Sequence, residues 1–260
     1  MNTEQCTEIT DNSIPLRQGD ILFFDQKAES ERYGIVVTGD CDITQKKCRR
    51  IISYCTITTA KYYISSEVLY DLCIKKEINI LNNYILKNVC KILGAKESDT
   101  IIITLLNQDD EYLRTLLKDN ELVNKICLLR VVFKKKEFSL DDYKNLFIAN
   151  NNRDLKKDEI EKIKEKILSK LNSLPGDKYY ISELPDQTDD FGYIVHLRFI
   201  NTIPQDDIEK QSHLYRIGHL ESPYLYRLTQ KLGAVFSDIG EPEKFEKNRA
   251  KINKQICEEL

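Results

Sequence analysis

Residues 17–59 read RQGDILFFDQKAESERYGIVVTGDCDITQKKCRRIISYCTITT, and the fold class follows from how that stretch divides. Residues 21–24 (ILFF) form a short apolar run opened by Gly19 and Asp20. Residues 34–38 (GIVVT) are rich in β-branched side chains and are closed by Gly39. Residues 51–59 (IISYCTITT) alternate and are rich in Ile, Thr and Tyr. Runs of this length and composition, bounded by Gly and Asp, favour strands over helix. Their connections are too short for crossover helices, so the three strands are expected to pair antiparallel. Burying their apolar face calls for a small curled sheet or barrel.

Outward from this stretch the pattern changes. Residues 1–13 read as a loose polar lead-in. From residue 65 to about 171 the apolar spacing is helical. Ser65 or Ser66 is placed to cap a first helix through Leu69 and Leu72. A second pattern (Ile78, Leu81, Ile85, Val89, Ile92) stops at Gly94, a natural C-terminal cap. Residues 100–106 (TIIITLL) fit either a buried strand or a helix start. Leu113 to Leu129 carries one or two further helices, and Ser139 with Asp142 forms a shortened capping box. Residues 158–172 form the cleanest amphipathic helix, with Ile160, Ile163, Ile167, Leu168 and Leu171 on one face. Strand signals return at 178–183 (KYYISE) and 192–200 (GYIVHLRFI), joined by a turn-rich segment that implies a hairpin. Ser222-Pro223 then opens a helix with an apolar stripe through Leu225, Leu228, Leu232 and Val235. The expectation is an α+β chain. Residues 14–64 and 177–240 form one β core with a packed helix, 65–176 are a helical insertion, and 241–260 are a charged C-terminal helix.

The chain has 260 residues, enough to bury roughly 70–75% of the surface its unfolded form exposes. Its 39 basic and 42 acidic residues give a net charge of −3, so no global field draws it to nucleic acid. No apolar run approaches the length of a membrane span. The N-terminus MNTEQCTEITDN is not a secretory signal. Eight cysteines lie scattered without a CxxC pair or a zinc spacing. Free thiols in a reducing cytoplasm are therefore expected, with no cofactor and no metal.

The tightest group of reactive side chains is Asp40-Cys41-Asp42, at a strand end. Three readings stay open: a turn held by Asp side chains, a polar functional site, or a reactive cysteine. Two adjacent carboxylates raise a thiol pKa and disfavour the last. Basic residues follow at once (Lys46, Lys47, Arg49, Arg50), on the Arg32 side of the sheet if the strands form a hairpin. With Tyr54, Tyr62 and Tyr63 nearby they could hold single-stranded RNA by phosphate contact and stacking. Arg227 and Gln230 lie on the polar face of the Ser222 helix, open to a partner. His196 sits within an apolar strand, while His213 and His219 flank LYRIG.

Gly19-Asp20-Ile21, the run Gly34-Ile35-Val36-Val37-Thr38 and the strand ending Ile57-Thr58 resemble the opening of the MazF/PemK toxin barrel. That family has a GDI-type strand, an arginine-proline loop before a valine-rich strand, and a strand ending in Ile-Thr. The resemblance implies a small SH3-like β barrel that cuts single-stranded RNA without a metal, with Arg32 and Thr58 serving the reacting phosphate. Here Tyr33-Gly34 stands where the proline would. TGDCDI (38–43) together with RIGHLESPYLYRLTQKLGAVFSDIGEP (216–242) is similar to bacterial proteins encoded among mobile elements and phage-defence genes. Metal-free cleavage needs a base, and Asp40 or Asp42 would have to supply it. Two functions follow. One is a non-catalytic component of a bacterial conflict system that binds a nucleic acid or protein. The other is a metal-independent endoribonuclease. The partners implied are single-stranded RNA or a defence-system protein, with a homodimer also open and no membrane.

Overall fold

The computed structural model describes residues 6–9, 14–47, 50–185, 191–210, 213–237, 251, 252 and 254. It divides into two compact units, Met1–Thr58 with Pro175–Leu260, and Thr59–Leu174.

The first unit is built on a curled, seven-stranded antiparallel sheet. Its strands are β1 (Thr7–Glu8), β2 (Asp20–Phe24), β3 (Tyr33–Val36), β4 (Ile51–Thr59), β5 (Lys178–Ile181), β6 (Tyr193–Pro204) and β7 (Leu214–Leu220). The order across the sheet is β1-β7-β2-β3-β4-β6-β5. The three expected strands are adjacent and antiparallel: Ile21 faces Ile35, and Ile35 faces Cys55. The expected hairpin is β5 with β6, in which Lys178 faces His196. Two-residue alternation sorts the side chains by face. Ile21, Tyr33, Ile35, Cys55 and Ile57 join one core with Val195, Leu197 and the buried stripe of the helix Ser222–Ser237. Leu22, Phe24, Val36, Ile52 and Tyr54 form a second core on the opposite face.

Gly34 is required by that second core. A Cβ there would lie 2.4 Å from the Tyr54 ring, well inside van der Waals contact. Gly34→Ala is expected to cost about 1–3 kcal/mol in urea unfolding, as overpacked cores do. The cost should shrink when Tyr54 is also replaced by leucine.

The second unit is helical around its own core of Leu81, Val89, Leu113, Leu129 and Leu146. Its first helix does not start at Ser65 or Ser66. Thr59 caps it, its hydroxyl accepting from the Tyr62 amide at 3.0 Å. The chain then stays helical from residue 60 to Leu93, through two wide π-type turns, Ile64–Val68 and Tyr70–Ile74. Ser65 and Ser66 instead donate back to the Tyr62 carbonyl, the interior role that serine hydroxyls take up in helices. Gly94 closes the run in a left-handed conformation, as its position suggested. The ambiguous 100–106 run is a helix, Asp99–Leu106, because Ser98 caps it. The Ser139–Asp142 box forms in both directions despite the short aspartate. On the helix Lys157–Asn172 only Ile163 is buried, and Leu168 faces solvent. The proposed C-terminal helix at 241–260 falls almost wholly outside the described residues.

Candidate functional site

The register of β3 and β4 brings Arg32 and Thr58 to neighbouring positions. Tyr33 faces Ile57, so one step further Arg32 stands opposite Thr58. Arg32 is half-buried, and its Nε is shielded from solvent without a hydrogen-bond partner. Thr58 is not an open donor. It is 3% exposed, and its hydroxyl shares a 2.8 Å hydrogen bond with His196 Nε2, whose residue is 2% exposed. His196 stacks on Phe199 at 5.2 Å between ring centroids. Burial, reinforced by the Lys178 charge, lowers the His196 pKa to about 4. The imidazole is therefore neutral at physiological pH.

A second polar group, not picked out as a site from the sequence, lies at the start of β2. Asp20 is completely buried, yet its carboxylate is fully engaged. Oδ1 meets His219 Nδ1 at 3.0 Å, and Oδ2 accepts from Arg216 Nη1 at 3.1 Å and from the Arg17 amide at 2.9 Å. The side chain of Arg17 reaches Glu8 at 2.6 Å. A β-bulge makes this convergence. Asp20 faces His219 and Ile21 faces Gly218, but Leu22 faces Arg216, so Ile217 is the extra residue. Without it, Arg216 and His219, three residues apart, would point to opposite faces. With it, both reach the face that carries Asp20.

These two groups share a face but not a location. Asp20 stands level with Val36 and Tyr54 by extension of the register. Thr58 is four residues further along β4, about 13 Å in the strand direction, and β4 lies two strands over from β2. His219 is thus no base for a phosphate held at Arg32.

The TGDCDI segment is a single helical turn, Asp40–Thr44, rather than an open strand-end loop. It seats Ile43 in the second core, and Asp40 Oδ1 accepts the Gln18 amide at 2.6 Å. Asp20 and Asp40 therefore pin the successive amides of Arg17 and Gln18, the turn role open to such residues. Asp42 is half-buried, and Cys41 is exposed with Sγ 3.8 Å from Asp42 Oδ1. Burial pushes the Cys55 thiol up to about 12. Brief iodoacetamide treatment is accordingly expected to label Cys41 and spare Cys55, as read by peptide mass mapping.

The turn after this helix carries Lys46, Lys47 and Arg50, all exposed; Arg49 is outside the described residues. This corrects the expected neighbourhood. Arg32 precedes β3 and the basic turn follows it, so they occupy opposite ends of the strand pair. The tyrosine platform is also corrected. Tyr54 and Tyr63 are core side chains, because Tyr54 alternates inward over Gly34 and Tyr63 lies on the buried side of the first helix. Arg50 pairs with Asp206 at 3.0 Å. Lys46 and Arg50 both adopt positive φ, 52° and 59°.

Arg227 and Gln230 are exposed on the helix Ser222–Ser237, as their polar spacing implied. His213 is exposed, and its carbonyl receives the Asp25 amide at 3.0 Å. Among the described residues no group of three His, Cys, Asp or Glu is arranged to hold a metal, and no helix is long and apolar enough to cross a membrane. No family model, curated protein or solved structure matches the chain, so the geometry above stands without a relative to interpret it.

Proposed function

We propose that this chain is a non-catalytic binding component that holds a nucleic acid, single-stranded RNA first among them, through the basic turn of residues 45–50. The carrying observation is that Thr58 and His196 are buried and bonded to each other, while Asp20 and His219 form a closed ionic group about 13 Å further along the strand direction and at least two strands across the sheet. Among the described residues a phosphodiester would find no donor, cation and base converging on one exposed point. Lys46, Lys47 and Arg50 reach solvent together in this one turn, Arg50 while paired with Asp206. Two of them hold left-handed backbone, a conformation that costs a non-glycine residue about 1–3 kcal/mol. Glycine would relieve that cost but would lose the charge. The MazF/PemK-like, SH3-like barrel and the setting in a bacterial conflict system rest on the sequence resemblance, which the curled antiparallel sheet accommodates.

The test is retention of a labelled single-stranded RNA over a salt series. Replacing Lys46 by glycine and Lys47 and Arg50 by alanine should weaken binding and flatten the salt slope by about two units. Lys46→Gly alone should raise stability by up to about 1 kcal/mol, so lost binding is not lost folding. RNA binding that ignores all three changes would end the turn as its site, and no RNA retention at all would put a protein partner in its place.

The second reading is the metal-independent endoribonuclease. It is favoured by the register that sets Arg32, with its shielded and unpartnered Nε, opposite Thr58. RNA cleavage in excess EDTA that disappears in both Arg32→Ala and Thr58→Ala would establish it.

A further inference from the structure

An open groove of about 470 Å³ lies in the first unit between the start of the β5–β6 hairpin and the last turns of the helix Ser222–Ser237. It is lined by Gly176, Asp177, Arg198, Lys231, Ala234 and Val235. The volume falls within the range of small-ligand sites.

Charge decides what it would take. Asp177 is the one acidic lining residue, and two cations already offset it: Lys178 at 3.8 Å and Arg198 at 3.7 Å. Lys231 adds a third, its ammonium fixed by donation to the Lys178 carbonyl at 3.2 Å. Among the lining residues one carboxylate stands against two cations, a sum of +1, before Arg227 one turn earlier on the same helix is counted. Arg227 acts electrostatically on Tyr179, which lies beside Lys178 in β5. Arg198 is 58% exposed, and its Asp177 contact is too long for a good hydrogen bond, so its fork of donors stays available. Two cations beside small apolar residues in one lining match a ligand that joins a phosphate to a compact, less polar body.

We propose that this groove binds a nucleotide unit through its phosphate, with Arg198 and Lys231 gripping the phosphate and Ala234 and Val235 beneath the sugar or base. The unit is either a free mononucleotide or the 5′-phosphorylated end of an RNA strand. The site lies in a different part of the sheet from the basic turn and does not depend on it.

The experiment titrates the intact protein by calorimetry with AMP, with a 5′-phosphorylated RNA decamer and with the same decamer bearing a 5′-hydroxyl. AMP is expected to bind with a dissociation constant on the order of 1 mM or tighter at low salt. Arg198→Ala with Lys231→Gln should weaken it at least about tenfold. Ala234→Glu, at an exposed helical position that tolerates the change, should do the same by placing a carboxylate in the groove. Asp177→Asn should strengthen binding. A decamer preference for the 5′-phosphate that vanishes in these variants assigns the strand end; AMP binding without that preference assigns the free nucleotide. No AMP heat, or heat unchanged in both the double variant and Ala234→Glu, overturns the proposal. Decamer binding lost only with Lys46, Lys47 and Arg50, and no AMP binding, would sink the groove and leave the turn standing. AMP binding with no decamer retained would do the reverse.

Discussion

Replacing Asp20 by alanine is expected to destabilise the first unit by about 3–5 kcal/mol, the cost of leaving a buried charge without its partner. The Arg216 side chain is 7% exposed and points at the missing carboxylate. His219 and the Arg17 amide lose their Asp20 partner at the same moment. Urea unfolding followed by tyrosine fluorescence suits a chain with 14 tyrosines and no tryptophan. Asp20→Leu combined with Arg216→Met removes both charges together and should cost clearly less than the two single changes added. Simple additivity would show that the ion pair does not hold β2 against β7. His219→Leu should be milder, because it removes one partner and leaves the Asp20–Arg216 pair.

The second large effect concerns pH. The His196 pKa is about 4 in the fold, depressed by burial and by the Lys178 charge, against 6.5 in the unfolded chain. Between those values the unfolded state binds more protons than the native state, so stability falls as pH drops. The loss begins near pH 6.5 and is complete near pH 4, below which His196 is protonated in both states. Its full size is about 3 kcal/mol. Replacing His196 by leucine and Thr58 by valine removes the pair without stranding either partner. That double variant should lose this part of the acid sensitivity, measured as urea midpoints from pH 7 to pH 4. An unchanged pH slope would show that His196 is accessible to protons in the native fold.

Much of the fold was legible because its signals are local. The runs at 21–24, 34–38 and 51–59 carry β-branched residues and glycine boundaries that tertiary contacts do not override. Gly94 and the Ser139–Asp142 box fix helix ends through their own backbone bonds. The start of the first helix was misplaced because Thr59 reads as the last residue of a strand, and its capping role depends on the backbone turning there. The Asp20 group was hidden for another reason. Arg216 and His219 are three residues apart, a spacing that a regular strand sends to opposite faces, and the bulge at Ile217 is not written in any residue preference. The clue available was the pairing of two glycine-containing motifs, GDI and RIGHL, at opposite ends of the chain. Tyr54 and Tyr63 were misread because aromatic side chains serve equally as a stacking surface or as core, and burial alone decides between them.

The placement of β2 between β3 and β7 has a consequence for biosynthesis. Its β3 neighbour is complete within about 40 residues, but its β7 neighbour, with both buried partners of the Asp20 carboxylate, lies almost 200 residues downstream. At roughly 5–20 residues per second, the ribosome takes about 10–40 s to deliver them. During that interval the helical segment Thr59–Leu174, contiguous and with a core of its own, is already finished. The nascent chain should therefore carry a protease-sensitive three-stranded N-terminal segment, β2 to β4, together with a protected helical domain. Arrival of the RIGHL strand then locks residues 17–58 in place, which makes the last strand the step that decides between a native sheet and an aggregating intermediate.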